Sequence, residues 1–180
     1  MKAVVFIDVQ NDFVKGGKLA FGYPVEDNVP KIVEFAKQCV ADTDCKIYAT
    51  RDTHDTNYME TLEGKKLPVE HCVEGTEGWQ IVDELMEVLS GKCTFINKPT
   101  FGSYDLVDIV AEDFETDPDE IVLCGYDLGI CGLANAVLLR AKYPNTKIVV
   151  RTDLCGCVNV QTFTAACEVL KLQQIELAEG

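Results

Sequence analysis

The sequence predicts an α/β fold: a three-layer αβα, doubly wound sheet of six mainly parallel strands. Three observations predict it. Short continuous apolar runs alternate with stretches whose apolar residues recur at helical spacing, along all 180 residues. The runs show no in-out alternation, as expected of strands buried on both faces. Reactive side chains fall just after the runs, where open α/β sheets gather ligands.

Ala3–Ile7 (AVVFI) is the first such run, rich in β-formers. Asp8 ends it, and Gly16-Gly17-Lys18 reads as loop. Asn28 is an expected N-cap, and Pro30 is tolerated in a helix only in its first turn. Val29, Ile32, Val33, Ala36, Cys39 and Val40 then mark one apolar helix face. Cys45–Thr50 is a second strand. Arg51–Glu77 has no sustained periodicity and carries both histidines of the chain, which suggests a functional loop. Helix is expected to resume near Trp79, with Ile81, Val82, Leu85, Val88 and Leu89 inward.

Cys93–Asn97 is a third strand, and Lys98, preceding Pro99, is expected to be extended. Tyr104–Phe114 reads as a short helix. Ile121–Cys124 is the fourth strand, broken by Gly125. From Cys131 onward Leu133, Ala134, Val137, Leu138 and Ala141 recur at helical spacing, placing Cys131 at or next to a helix N-terminus. Lys147–Arg151 is a fifth strand, Val160–Lys171 a helix, and Gln174–Leu177 a short last strand. Without repeat or linker, residues 1–180 read as one domain.

Composition narrows the function. A net charge of −14 with scattered Lys and Arg argues against nucleic-acid binding. No apolar run approaches the ~20 residues of a membrane span, and no signal-peptide layout opens the chain, so a cytoplasmic protein is expected. The nine cysteines are an odd number without a secretory signal. Most read as buried apolar residues, Cys39 and Cys124 among them. Cys155-Gly-Cys157 reads as structural, and the absence of CxxC argues against a thiol redox protein.

Cys131 differs because of its place. A helix N-terminus stabilises a thiolate by only ~0.3–1 kcal/mol, less than one pKa unit of about 1.36 kcal/mol. A reactive thiol therefore needs a nearby cation or base. Asp8 and Lys98 fall at strand ends and could supply both, the alternative being a solvated ion pair. Asp52, His54 and His71 are ordinary ligands for zinc, iron or manganese, the alternative being surface histidines. Glu60, Glu63 and Glu70 are all open as a fourth ligand.

DVQNDF at Asp8–Phe13, RDTH at Arg51–His54, HCVEGT at His71–Thr76, Lys98, and GYDLGIC at Gly125–Cys131 occur in one order and at matching spacings. Together they resemble the isochorismatase-like cysteine hydrolases, and within them the nicotinamidase/pyrazinamidase branch. The resemblance implies strand order 3-2-1-4-5-6 and a catalytic triad of Asp8, Lys98 and Cys131. It also implies a divalent metal, zinc first with iron or manganese as alternatives, on Asp52, His54, Glu63 and His71 in a loop at about 51–77. Phe13 would wall the pocket, with Tyr126 and Asp127 at the substrate and oxyanion positions and a cis peptide between them.

The implied reaction is hydrolysis of nicotinamide to nicotinate and ammonia through a thioester on Cys131, in a homo-oligomer whose partner is a small-molecule amide. Departures from the family pattern are Leu128-Gly129 for a common Thr-Asp, Gly132 for a small residue or valine, no tryptophan in Leu67–Glu70, and no third loop histidine. The alternatives are hydrolysis of another small amide or carbamoyl compound, and a non-catalytic metal or small-molecule binding protein.

Overall fold

The computed structural model describes residues 1–14, 16–24 and 27–180. Its elements run β1 (Lys2–Ile7), α1 (Val29–Ala41), β2 (Cys45–Asp52), α2 (Leu62–Lys66), α3 (Asp83–Leu89), β3 (Thr94–Lys98), α4 (Tyr104–Asp113), β4 (Glu120–Gly125), α5 (Leu133–Lys142), β5 (Lys147–Cys155), α6 (Val160–Leu172) and β6 (Glu176–Ala178). The six strands form one sheet in the order β3-β2-β1-β4-β5-β6. Every pairing is parallel, so the expectation of mainly parallel strands becomes all parallel.

β1 pairs with β2 on one side and β4 on the other, and Ala3 to Ile7 are buried throughout. That explains its unbroken apolar run: neither face meets water. Helices pack in succession, α1 on α3, α4 on α5, and α5 on α6. The strand order reverses between β1 and β4, which opens a crevice at their carboxyl ends. Asp8 and Gly125 stand on its two sides.

Several boundaries differ from expectation, each for a local reason. The Asn28 side chain caps nothing: it accepts a hydrogen bond from the Tyr126 hydroxyl, and Asp27 Oδ1 instead accepts from Val29 N at 2.9 Å. The helix expected from Trp79 begins at Asp83. Ile81 forms an antiparallel bridge with Gln10, and Val82 N donates to Val9 O at 3.0 Å, so this stretch is held extended against the end of β1. The irregular loop after β2 contains a 3-10 turn at Tyr58–Glu60 and then α2, whose N-cap Thr61 accepts from Gly64 N at 3.0 Å. Five residues are too few to register as a helical period. Among the described residues, no helix is long and apolar enough to cross a membrane.

Candidate active site

Asp8 leaves β1 with φ of 47°, a left-handed conformation that aspartate tolerates better than most residues. Thr50 on β2 holds it there: the Asp8 amide donates to Thr50 O at 3.2 Å, and Thr50 Oγ1 donates to Asp8 Oδ1 at 2.6 Å. Lys98, the last residue of β3, is fully buried. Its Nζ lies 2.7 Å from Asp8 Oδ2, 3.3 Å from Cys131 Sγ and 3.4 Å from Asp52 Oδ1. The strand-end positions thus bring Asp8, Lys98 and Cys131 together. Asp8 Oδ2 makes the ion pair but has no directed hydrogen bond, which leaves it able to accept a proton.

Burial sets the electrostatics of the three. It pushes the Asp8 carboxyl up, with the Lys98 charge pulling down against it. It pushes the Cys131 thiol well up, opposed by Lys98 and reinforced by Asp8 and Asp52. Burial by itself lowers the Lys98 amine, but Asp8, Cys131 and Asp52 outweigh this and push it well above its ordinary value. The three groups thus form one tightly coupled buried cluster, with a thiol, a carboxyl and an amine in mutual reach.

Chain reversal at Gly125 presents the thiol. Gly125 has φ of 115°, and a Cβ there would sit 2.1 Å from Ile7 O, so only glycine lets β4 turn this close to β1. The Tyr126-Asp127 peptide is cis. The Asp127 carbonyl accepts from Ile130 N at 3.1 Å and Gly132 N at 2.8 Å, closing a single π-helical turn over Leu128–Gly132. Cys131 lies in that turn, just before α5, rather than in the first turn of the α-helix itself.

Beside the triad, Asp52 Oδ2 lies 3.0 Å from His54 Nε2 and 3.4 Å from His71 Nε2, and Glu63 Oε1 is 3.8 Å from both imidazoles. One donor atom from each of the four residues lies within 4.8 Å of all the others. Glu60 and Glu70 are outside this group. The set fits a divalent metal on chemical grounds. His71 Nδ1 is 2.8 Å from Val69 O, a bond that places its proton on Nδ1 and leaves Nε2 free to ligate. Burial raises the Glu63 carboxyl and the neighbouring Asp52 charge raises it further, a repulsion that a dication would remove. Asp52 is also desolvated, but His54, His71 and Lys98 outweigh this and hold it well below the usual carboxylate range.

A cavity of about 320 Å³ joins the two clusters. Asp52, Glu63 and His71 lie at one end, Cys131 and Asp127 at another, and Phe13, Phe21, Leu67, Phe101 and Ile130 supply apolar wall. Phe13 stacks on Phe21 with ring centroids 5.2 Å apart and touches the His71 ring at 5.7 Å. Asp8 and Lys98 stand behind Cys131, away from the lining. The Tyr126 side chain does not reach the cavity either: it is buried, stacks on Phe21 and bonds Asn28.

The family model described as Isochorismatase domain matches residues 2–179. The chain belongs to the isochorismatase family. As a member it is a family hydrolase, and solved structures share its fold over nearly its whole length. A nicotinamidase/pyrazinamidase from Bacillus subtilis is 24% identical with a TM-score of 0.85, covering 99% of both chains. A pyrazinamidase from Pyrococcus horikoshii in complex with zinc is 21% identical with a TM-score of 0.82, again covering 99% of both. Yeast nicotinamidase bound to the inhibitor nicotinaldehyde is 19% identical with a TM-score of 0.81, covering 100% of both. At these identities the likeness is one of fold. No curated protein sequence matches the chain.

Within this isochorismatase-family site, two supporting side chains escaped the sequence reading. Gln10 is fully buried and grips the Asp52 backbone from both sides, its Oε1 accepting from Asp52 N at 2.7 Å and its Nε2 donating to Asp52 O at 2.9 Å. Asp12 Oδ2 accepts from Cys72 N at 2.8 Å, fixing the residue after His71. Both lie in the DVQNDF stretch, whose polar residues between apolar ones were the available signal. Cys155 and Cys157 are free and buried, consistent with a structural role.

Proposed function

We propose that this isochorismatase-family hydrolase is a metal-dependent cysteine amidase, with nicotinamide as its first candidate substrate. The observation that carries the reading is the position of Lys98 Nζ, within 3.4 Å of Asp8, Cys131 and Asp52 alike, behind a cavity that also reaches the His71 imidazole and the Glu63 carboxylate.

In this reading Cys131 Sγ attacks the carboxamide carbon while its proton passes to Asp8 Oδ2. Lys98 stays charged and offsets the sulfur's developing negative charge. Backbone N–H groups of the Cys131 turn and around Asp127 face the oxygen of the tetrahedral adduct. Asp8 returns the proton to the leaving nitrogen, the C–N bond breaks and ammonia departs. Water then attacks the thioester with Asp8 again as base, releasing the acid and restoring the thiol. A divalent ion on Asp52, His54, Glu63 and His71 would supply a Lewis-acidic position for a pyridine nitrogen, directly or through a bound water. Support for nicotinamide comes from the names of the structural neighbours and from the zinc and nicotinaldehyde found in two of them.

Leu67 lines the cavity at the stretch where a stacking tryptophan is absent. That favours, as second reading, a different small neutral amide. Ammonia release from nicotinamide by zinc-loaded protein, by Cys131→Ala and after chelation tests the first reading. Turnover lost in the variant and reduced by the chelator supports it. No release by the loaded wild type removes nicotinamide, and a panel of small amides then separates the second reading from a protein that only binds.

A further inference from the structure

Asp127 is a buried carboxylate in the cavity wall whose hydrogen-bond partners among the described residues are all uncharged. Its oxygens accept from Gly129 N at 2.5 Å, Val158 N at 2.6 Å and Cys157 Sγ at 3.3 Å. The other carboxylates around the cavity have cations to answer them. Asp8 and Asp52 share Lys98, and Asp52 and Glu63 meet the two imidazoles and would be matched by a divalent ion. Lys18 also lines the cavity but is solvent-exposed, where water and salt screen its charge. A charge buried without a counter-ion is costly, so its retention beside the nucleophile needs a use.

An amide and the acid formed from it are isosteric. They differ in one position: the amide carries an NH₂ donor where the carboxylate carries an anionic acceptor. A carboxylate in the wall can only accept. We propose that Asp127 is a specificity residue that makes the site favour neutral carboxamides over carboxylates, admitting the substrate and expelling the acid product. This rests on the amidase reading for its physiological meaning, but the charge selection is a property of the cavity itself. It also disfavours carbamoyl substrates that carry a carboxylate near the cleaved bond.

The donors around Asp127 fix the position of its carboxyl in the wall. Burial pushes its carboxyl up, and Cys157, Gly129, Val158 and Ile130 pull against that. Burial and the Asp127 charge push the Cys157 thiol up to about 11, so it stays protonated and serves as donor. A Cβ on Gly129 would lie 2.5 Å from Thr162 Cγ2, 3.1 Å from Asp127 Oδ1 and 3.3 Å from Cys157 Sγ, so the glycine keeps room for the carboxyl and its thiol partner.

Iodoacetamide and iodoacetate are themselves an isosteric amide and acid pair, and both alkylate Cys131 through the same thiolate. The ratio of their rates therefore cancels any change in thiol ionisation. On zinc-loaded protein in mildly alkaline buffer, with labelling followed by mass spectrometry of the Cys131 peptide, wild type should prefer iodoacetamide more strongly than N-acetylcysteine does. Asp127→Asn should reduce that preference on the order of tenfold, mainly through faster reaction with iodoacetate. A wild-type ratio equal to that of the small thiol overturns the proposal without reference to any variant. Equal slowing of both reagents in Asp127→Asn overturns it too, because Asp127 would then only hold the turn. Failure of the amidase reading is distinguishable: no amide would release ammonia while the alkylation preference persisted.

Discussion

Lys98 Nζ stands 3.4 Å from Asp52 Oδ1, while Oδ2 of the same carboxylate faces His54 and His71 at 3.0 and 3.4 Å. One side chain therefore belongs to both clusters, one oxygen turned to the candidate triad and the other to the candidate metal ligands. β2 and β3 pair Asp52 directly with Lys98 in the parallel register, which fixes the two side by side. A change at Asp52 is felt on both sides.

Gln10 offers a way to disturb that shared carboxylate without touching it. Its side chain takes both backbone polar groups of Asp52 and also donates to Trp79 O at 2.8 Å. Gln10→Ala should weaken zinc binding about 10–100-fold, the range found for groups that orient ligands. It should also cost about 1–3 kcal/mol of stability from the unpaired buried amide and carbonyl. Zinc competition titration reads the first and urea unfolding the second. Unchanged zinc affinity would show that β2 alone orients Asp52.

The fold and the grouping of the candidate residues were legible because they follow from strand ends. Apolar runs without alternation place six parallel strands, and the residues just past them are Asp8, Asp52, Lys98 and Cys131. Less legible was everything fixed by contact between distant segments. Trp79–Val82 has helical spacing, yet Ile81 and Val82 are pulled into extended pairing with Gln10 and Val9 by burial that periodicity does not record. Asn28 looks like a cap, but the Tyr126 hydroxyl claims its side chain from the other end of the chain. Gln10 matters only because Asp52 and Trp79 are brought to it, and Asp12 because the His71 loop folds back on it. The Leu128-Gly129 departure likewise gains meaning only when Asp127 is seen bonded across the turn to Gly129 and Val158.

Among the three glutamates between the histidines, only Glu63 reaches the donor cluster. It rides on α2, and Thr61 capping that short helix sets its position. Glu63→Gln should weaken zinc binding at least about tenfold, because a carboxylate ligand is replaced by a neutral amide. Glu60→Gln and Glu70→Gln should leave it unchanged. The absorption bands of the cobalt-substituted protein provide an independent reading, changing in coordination only for Glu63→Gln. A shift in either of the other two would reassign the ligand.

Acidity should reveal the cost of the charge on Asp127. Burial raises its carboxyl above the ordinary 3.8, and the surrounding donors only partly offset this. Between 3.8 and the raised value the folded chain holds the proton and the unfolded chain does not. Stability from this group is therefore fully present below 3.8 and lost as pH rises through the folded-state value. The unfolding free energy of wild type minus that of Asp127→Asn should grow on acidification across that window. Urea unfolding of both proteins at a series of pH values measures it, and a difference independent of pH would mean the carboxyl is not desolvated.

Lys98 tests whether the buried charges act as a unit. It is fully buried between Asp8 and Asp52, and its removal leaves two carboxylates without their shared cation. Lys98→Met should cost about 3–5 kcal/mol, the usual penalty for breaking a buried pair from one side. Asp8→Asn in the same protein removes one stranded charge, so the double variant should recover at least about 1 kcal/mol relative to Lys98→Met alone. Unfolding must be measured at fixed free zinc, since bound metal adds its own stabilisation. Simple additivity of the two substitutions would show that water reaches Asp8 once Lys98 is gone, and that the pair is less sealed than its burial implies.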